Sequence, residues 1–467
     1  MSDVLIDHHS NAEDTSFPID MTDEDIKEIT TALRTGDEGH VRTLIEDLTT
    51  AESVELLEKI VPDDRETLIE KHLDDFDPEA FAQLDDSVRK ETLESMDAKT
   101  VASIVSEQDS DDAVNMLYNL EPVFQKEVIK YLSSKNRTTI EEGLTFEDDS
   151  AGRLMQREFV AVPQFWTVGK TIDYLRAAAE ELPEEFFDLF IIDPVYRVLG
   201  QLQLNKLIRS QRSERIEDLI TEQDIYLIPA TMDQEDVARI FKREALTSAP
   251  VVDAHNRLIG VITVDDIVDV IVEEAQEDIL RMSGVMSEGT DMYHDVLRTT
   301  KSRFAWLCVN LVTAMLVTRV INLFDHTIEQ LVALAVMMPV VASMGGNAGT
   351  QTLAITVRAL ATRDLSRTNM VRMISKEALV GLVNGLMFAV LAAAITYFLF
   401  QNTLLSTVIG MAMVINLFIA GLFGICIPVI LEKFKIDPAL ASSVFVMTLT
   451  DVIGFLAFLG LATLIML

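Results

Sequence analysis

The sequence predicts a multidomain chain of α and α+β classes: an N-terminal helical superhelix, a duplicated β-α module, a connecting helix and a five-helix transmembrane domain. Three observations carry this. The chain has 467 residues, more than one hydrophobic core normally organises. Its charge is unevenly divided: 38 basic and 75 acidic residues give a formal net of −37, yet the mean hydropathy is positive. From residue 304 onward there are only 8 basic and 7 acidic side chains, so the first 303 residues hold a net of −38. Finally, the hydrophobic period changes along the chain, from helical to short β-rich runs to apolar runs of membrane length. The boundaries expected are a flexible 1–20, a superhelix over 21–148, the duplicated module over 149–282, a connector over 283–303 and the membrane domain over 304–467.

The first residues carry Asp7, His8, His9 and Glu13 without an apolar core, so no secretory leader is expected and the acidic part should stay in the cytosol. That part repels nucleic acid, which is excluded as a partner, and attracts cations. Cys308 and Cys426 both lie in apolar stretches and imply no disulfide framework. Between residues 21 and 148, short units recur: Val61-Pro62-Asp63-Asp64, Phe76-Asp77-Pro78-Glu79 and Leu84-Asp85-Asp86-Ser87 each place a turn residue before a helical run. Acids suit the first turn of a helix, and stacked short helices bury one another's leucines as a superhelical array.

From about Phe159 two strand pairs are expected. Leu189 to Asp193 pairs with Val198 to Leu202, and Ala249 to Asp253 with Leu258 to Ile262. Each half reads strand, turn with a basic residue (Arg197, Arg257), strand, helix. This internal duplication resembles a tandem pair of CBS domains, modules used as adenosine-nucleotide or ion sensors. In the second half, Gly260-Val261-Ile262-Thr263-Val264-Asp265-Asp266 resembles the motif whose last Asp holds a ribose, which makes Thr263 and Asp266 weak nucleotide-binding candidates. Gln203 and Lys206 stand at the corresponding places in the first half, leaving one plausible site for ATP. Gly169-Lys170-Thr171 lacks the earlier glycine of a P-loop, where Gln164 stands instead.

The helix that follows carries Asp266, Asp269, Glu273 and Glu277 in one stripe, with Ile267, Ile271, Ala275 and Ile279 on another face. Like charges at these spacings cost about 0.2–0.5 kcal/mol per pair, and no lysine relieves them between Asp265 and Leu280. A solvated face is one reading; oxygen ligands for divalent cations is the sharper one. His255 and His294 are isolated, and no His/Cys grouping suggests zinc. Residues 283–303, with Glu288, Asp291, His294, Asp295 and Arg298, read as an amphipathic connector at a membrane surface.

Five apolar runs follow, at 304–324, 331–360, 378–400, 408–431 and 439–467, each reaching the roughly 20 residues that span a bilayer. Arg298, Lys301 and Arg303 precede the first; Arg358, Arg363, Arg367, Arg372 and Lys376 surround the second connection; Lys433 and Lys435 occupy the fourth. The first connection holds Asp325, His326 and Glu329, and the third is uncharged. By the positive-inside rule the N-terminus is inside and the C-terminus outside. Arg319 reads as a snorkelling interfacial residue.

Within the second run, Gly345 and Gly349 are four apart and permit close helix contact, while Asn347 and Gln351 stack two amides beside them. Pro339 and the glycine pair loosen that helix, which is tolerable where protein or water satisfies the backbone. The fourth run carries Asn416, Gly421, Gly424 and Pro428. Thr450-Asp451-Val452-Ile453-Gly454-Phe455 in the fifth puts Asp451 near mid-membrane, where a carboxylate costs about 2.5–3.5 kcal/mol and marks a functional site.

These pieces resemble the MgtE family of magnesium channels and transporters. Gly345-Gly346-Asn347-x-Gly349-x-Gln351, Thr450-Asp451-x-x-Gly454-Phe455 and the link Asp149-Ser150-Ala151-Gly152-Arg153-Leu154-Met155 stand in the family's domain order over nearly the whole chain. The resemblance implies a homodimer in a bacterial plasma (inner) membrane, with a pore on the twofold axis and Asp451 of both subunits holding Mg²⁺. Asn347, Gly345, Gly346 and Asn416 would complete the ion path. It further implies that cytosolic Mg²⁺ closes the pore by binding Asp266, Asp269, Glu274, Glu277 and Asp278, with Asp437 at the start of the fifth helix and Asp111 of the helical domain joining them. Ala245 and Asn115 stand where the family can have acids, which weakens some of those sites.

The function expected is therefore a Mg²⁺-selective channel admitting magnesium down its electrochemical gradient, not an enzyme. A coupled exchanger would need several intramembrane ionisable groups, and only Asp451 is central. A CBS-regulated membrane enzyme would need a nucleophile–base pair or metal cluster that the apolar runs do not offer.

Overall fold

A computed structural model describes residues 21–180, 182–183, 186–220, 225–285, 296–363, 365 and 369–467. The chain forms two compact units, Met1–Val268 and Asp269–Leu467.

In the first unit, helices run in series from Asp23–Thr35 to Ser134–Gly143. Their starts are built as the turn residues indicate. Thr22 and Thr49 each form a reciprocal capping box, with Asp25 and Glu52. Pro62 opens its helix with Asp63 and Asp64 in the first turn, and Asp85 and Asp97 cap by accepting backbone N–H groups. Each cap satisfies donors that a helix end leaves orphaned, worth about 1 kcal/mol apiece. One continuous core fills the array, with Leu56, Leu57, Leu68, Phe81, Leu93, Met116 and Leu117 fully buried.

Two three-stranded sheets follow, in the orders β1-β2-β3 and β4-β5-β6. In the first, β1 (Val160–Pro163) lies parallel to β2 (Asp188–Ile192), which pairs antiparallel with β3 (Val198–Gln203). In the second, β4 (Ile228–Pro229), β5 (Ser248–Val252) and β6 (Leu258–Thr263) repeat the same arrangement. The duplication extends to single hydrogen bonds. Asp193 Oδ1 accepts from the backbone N–H of Val195 and Arg197, and Asp253 Oδ1 from those of His255 and Arg257. Tyr196 and Asn256 take positive φ at the same point of each turn. The turns also join the halves: Val198 N–H donates to Asn256 and Leu258 N–H to Tyr196.

The 19-residue helix Val264–Met282 comes next. Residues 286–295 of the expected connector lie outside the described residues, and residues 296–303 are the first turns of the helix Val296–Asn322 rather than a separate element. Four further long helices complete the second unit: Ala333–Ala361, Met370–Phe400, Thr403–Lys433 and Pro438–Met466. Numbered from Val296–Asn322, these are the first to fifth membrane helices. Among the described residues, four stretches are long and apolar enough to cross a bilayer: Thr299–Asn322, Met370–Phe400, Thr403–Lys433 and Ser442–Met466. The second membrane helix has 29 residues, ample length at 1.5 Å each, but Gly345, Gly346, Asn347, Thr350 and Gln351 dilute its apolar character.

Glycine sets the spacing of these helices. A Cβ at Gly381 would lie 2.5 Å from the Leu417 carbonyl, and one at Gly421 would lie 2.6 Å from that of Glu377. At Gly385 it would lie 3.0 Å from Val414 Cα, so the third and fourth helices touch backbone to backbone. The second and fourth approach as closely, since a Cβ at Gly424 would lie 2.9 Å from the Gly349 carbonyl.

Candidate ion pathway and cation-sensing clusters

Asn416 is the polar centre of the membrane unit. It is fully buried, and its Nδ2 donates to the Val341 carbonyl at 2.7 Å. Two glycines make its room: a Cβ at Gly345 would sit 2.4 Å from Nδ2, and one at Gly454 would sit 2.9 Å from Oδ1. Oδ1 itself has no hydrogen-bond partner. Asn416 thus ties the fourth helix to the second and fifth from within the bundle, and the single chain gives it no open surface. Gly349 performs a related task, its missing Cβ leaving space for Val446.

Asn347 and Asp451 are placed differently. Asn347 is exposed on the second helix, its Nδ2 only 3.5 Å from Ser343 Oγ. Asp451 is half-buried, and among the described residues no hydrogen bond or ion pair holds its carboxylate. Thr450, next to it, is buried and spends its hydroxyl on the carbonyls of Val446 and Met447. Gly346 is buried, and beyond its own turn of helix no described atom lies within 4 Å of where its Cβ would be. The fifth helix therefore presents an ionisable group that the bundle does not consume. Glu377 was not anticipated: its side chain is buried in the third helix, with Lys376 Nζ 3.7 Å away. The apolar run was expected to begin one residue later, at 378.

The acids of the soluble part fall into two groups. In the first unit, Asp111 and Asp112 open the helix Ser110–Tyr118. Asp111 is buried and its Oδ1 has no hydrogen-bond partner. Burial, and after it the charges of Asp266 and Asp112, push its carboxyl well above the usual range. Asp112 is raised to about 6 by burial and by Asp109. Asp266 is raised to about 7, chiefly by burial, with Asp265 adding to it, although Thr263 opposes the shift. Thr263 Oγ1 donates to Asp266 Oδ2 at 2.8 Å, so the two expected nucleotide candidates are engaged with each other.

In the second unit, the last turns of the helix Val264–Met282 meet the start of the fifth membrane helix. Asp437 caps that helix, accepting from Ala439 N–H at 2.8 Å. Arg281 donates from Nη1 to Asp437 Oδ2 at 2.7 Å and pairs through Nη2 with Glu277. Asp278 is raised by burial and then by Asp437, against the opposing charge of Arg281. Met282 packs on Leu353, Val357 and Ala439, and Gly284 turns at φ +74° against the Trp306 ring. Arg281 does not stand out in the sequence, because its partner lies 156 positions away and no local pattern connects them. Asp269 is exposed on the same helix. No group of three or more His, Cys, Asp or Glu side chains is preassembled to hold a metal ion among the described residues.

Comparison with known proteins agrees with this layout. Residues 338–461 match the family model described as the MgtE divalent cation transporter, residues 48–149 the MgtE intracellular N domain, and residues 216–273 the CBS domain. The chain is 34% identical over 358 residues to a magnesium transporter MgtE of Thermus thermophilus, covering 76% of this chain and 78% of that one. It is 32% identical over 368 residues to a magnesium transporter MgtE of Bacillus subtilis, covering 78% and 80%. A crystal structure described as the cytosolic domain of the Mg²⁺ channel MgtE in complex with ATP is 27% identical, with a TM-score of 0.48, covering 52% of this chain and 99% of that one. The chain belongs to the MgtE family of magnesium transporters, membrane proteins that are not enzymes.

Proposed function

We propose that the chain is a Mg²⁺-selective channel, working as a homodimer in a bacterial inner membrane, that admits magnesium and is closed by cytosolic Mg²⁺. The observation that carries this is Asp451, a carboxylate within an apolar helix that, among the described residues, no group of its own bundle pairs with. Two such carboxylates on a twofold axis attract a divalent ion, and the exposed Asn347 amide is available beside the path. Mg²⁺ dehydrates reluctantly and keeps several waters, so a carboxylate pair can hold it hydrated. A potential of 100 mV supplies about 2.3 kcal/mol per charge, roughly 4.6 for a divalent ion, so influx needs no further energy source. In this reading Asn416, Gly345 and Gly454 are the internal strut that positions the fifth helix. The N-terminus and acidic units face the cytosol and the C-terminus lies outside.

Closure follows from the acidic clusters. Two soluble parts of net −38 repel at close range, within a Debye length of about 8 Å. Cytosolic Mg²⁺ between Asp111, Asp266, Asp269, Glu274 and Glu277 offsets that repulsion and favours a compact sensor, and the gate moves only through this differential affinity. A nucleotide such as ATP would use the second CBS half, with Asp266 freed from Thr263 to hold the ribose.

Patch recordings with internal Mg²⁺ stepped from zero to several millimolar test the reading. The parent should close with Mg²⁺, while a variant carrying Asp266→Asn, Asp269→Asn and Glu277→Gln together should conduct but stay open. A triple variant closing at the parent's concentration would make these acids ordinary solvated surface.

A further inference from the structure

We infer that Arg281 is a tethered cation occupying the acidic cluster of Glu277, Asp278 and Asp437, and that it sets how much Mg²⁺ the gate requires. The inference rests on the channel reading above and adds a residue to it. Resemblance to the family assigns those three acids to a magnesium site; the geometry instead gives them an internal partner. The guanidinium spans Glu277 on its own helix and Asp437 at the start of the fifth membrane helix, the latter at 2.7 Å. Arg281, Asp437 and Glu277 are all about two-thirds or more buried, so the pairing is partly shielded from salt. The contact is not isolated. Met282 sits on Leu353, Val357 and Ala439, which fixes Arg281 one residue from an apolar anchor.

A guanidinium offers five donors in a fixed fork and does not deprotonate, so its charge stays beside these carboxylates at any cellular pH. A divalent ion entering the same acids must share them with, or displace, a charge that never diffuses away. Arg281 therefore lowers the cluster's affinity for Mg²⁺ and raises the concentration at which the gate closes. It does so while keeping the end of the acidic helix joined to the helix that bears Asp451, fourteen residues beyond Asp437.

The test uses the full-length protein. In inside-out patches, each record is normalised to its own conductance in zero internal Mg²⁺. Arg281→Gln should close at about fivefold lower Mg²⁺ than the parent, within the usual range of coupling between linked sites. Arg281→Lys keeps the charge and should remain within about twofold of the parent. Adding Asp437→Asn to Arg281→Gln should remove the gain, because the acid that the arginine had neutralised is gone. In parallel, Mn²⁺ bound by the purified protein, counted by electron paramagnetic resonance at fixed free Mn²⁺, should rise in Arg281→Gln and not in Arg281→Lys.

An unchanged or higher closing concentration in Arg281→Gln, or an unchanged Mn²⁺ count, would overturn the inference. Failure of the channel reading looks different: the parent itself would show no closure by Mg²⁺, while the Mn²⁺ count would still decide the role of Arg281.

Discussion

Substituting alanine for Gly345 is a sharp test of the membrane unit, because its neighbour Gly346 is a matched control on the same helix. At Gly345 the new Cβ would lie 2.4 Å from Asn416 Nδ2, 2.7 Å from Oδ1 and 2.8 Å from Cγ. All three atoms belong to a fully buried side chain that cannot swing into solvent. Either Asn416 moves and loses its 2.7 Å bond to the Val341 carbonyl, or the second helix is pushed away from the fourth. Overpacking of this kind costs about 1–3 kcal/mol. Loss of the buried hydrogen bond adds about 0.5–1.5 kcal/mol. At Gly346 no described atom beyond its own turn of helix lies within 4 Å of the added Cβ, and at both positions alanine gains the roughly 1 kcal/mol by which it exceeds glycine in helix propensity. That gain applies at both positions and cancels between them, so the two variants should differ by about 1.5–4.5 kcal/mol. For a unit of this size, that separates their melting temperatures by roughly 3–18 °C, with Gly345→Ala below the parent and Gly346→Ala at or above it. Thermal melts of detergent-purified protein read by size-exclusion chromatography measure this directly. Equal melting temperatures for the two variants would mean that Asn416 does not sit between Gly345 and Gly454.

Three other outcomes can be checked. Asp451→Asn keeps the side-chain shape without its charge, and Mg²⁺ flux into proteoliposomes should fall at least about tenfold, a loss of ~1.4 kcal/mol of ion attraction; parental flux would make Asp451 a helix contact. The raised carboxyls of Asp111, Asp112 (about 6) and Asp266 (about 7) make the folded state bind more protons than the unfolded chain. Their contribution is therefore complete at acidic pH and is lost as pH rises through about 6–7. Without divalent ions the full-length protein should melt lower at pH 8 than at pH 5.5, and millimolar Mg²⁺ should flatten that slope; a slope of the opposite sign refutes the clustering. Calorimetric titration of ATP into the full-length protein should weaken when Asp266 is changed to Ala, and equal binding would remove Asp266 from the nucleotide site.

Much of this was legible in the sequence because it is local. Helix starts at Thr22, Pro62 and Asp85 follow from residues within four positions of the cap, and the paired turns at Asp193 and Asp253 repeat the same short pattern. Five apolar runs mark the membrane helices in the sequence, and four of the helices are long and apolar enough by composition alone. Long-range pairings were not legible. Asn416 reads as a polar residue in an apolar run, and only the positions of Gly345 and Gly454 reveal that it is enclosed. Arg281 reads as an ordinary basic residue at a helix C-terminus until Asp437 is brought beside it. Glu377 escaped because its charge, directly after Lys376 in the cluster of expected interface arginines and lysines, looks like part of a solvated loop. The stripe Asp266, Asp269, Glu273 and Glu277 is real as a helical face, yet the structure divides its surroundings: Asp266 lies near Asp111, whereas Glu277 is held by Arg281.

The backbone contacts along the third and fourth membrane helices limit how the domain can move. With Gly381 against the Leu417 carbonyl, Gly385 against Val414 Cα and Gly421 against the Glu377 carbonyl, neither helix can slide past the other without driving a side chain into main chain. The pair therefore behaves as a stiff plate. The helix Val296–Asn322 has the opposite character, since its apolar window buries none of its residues in the single chain. Conformational change in this domain should consequently be sought as a swing of that helix about a fixed slab, and distance probes placed across the third and fourth helices should read the same value with and without Mg²⁺.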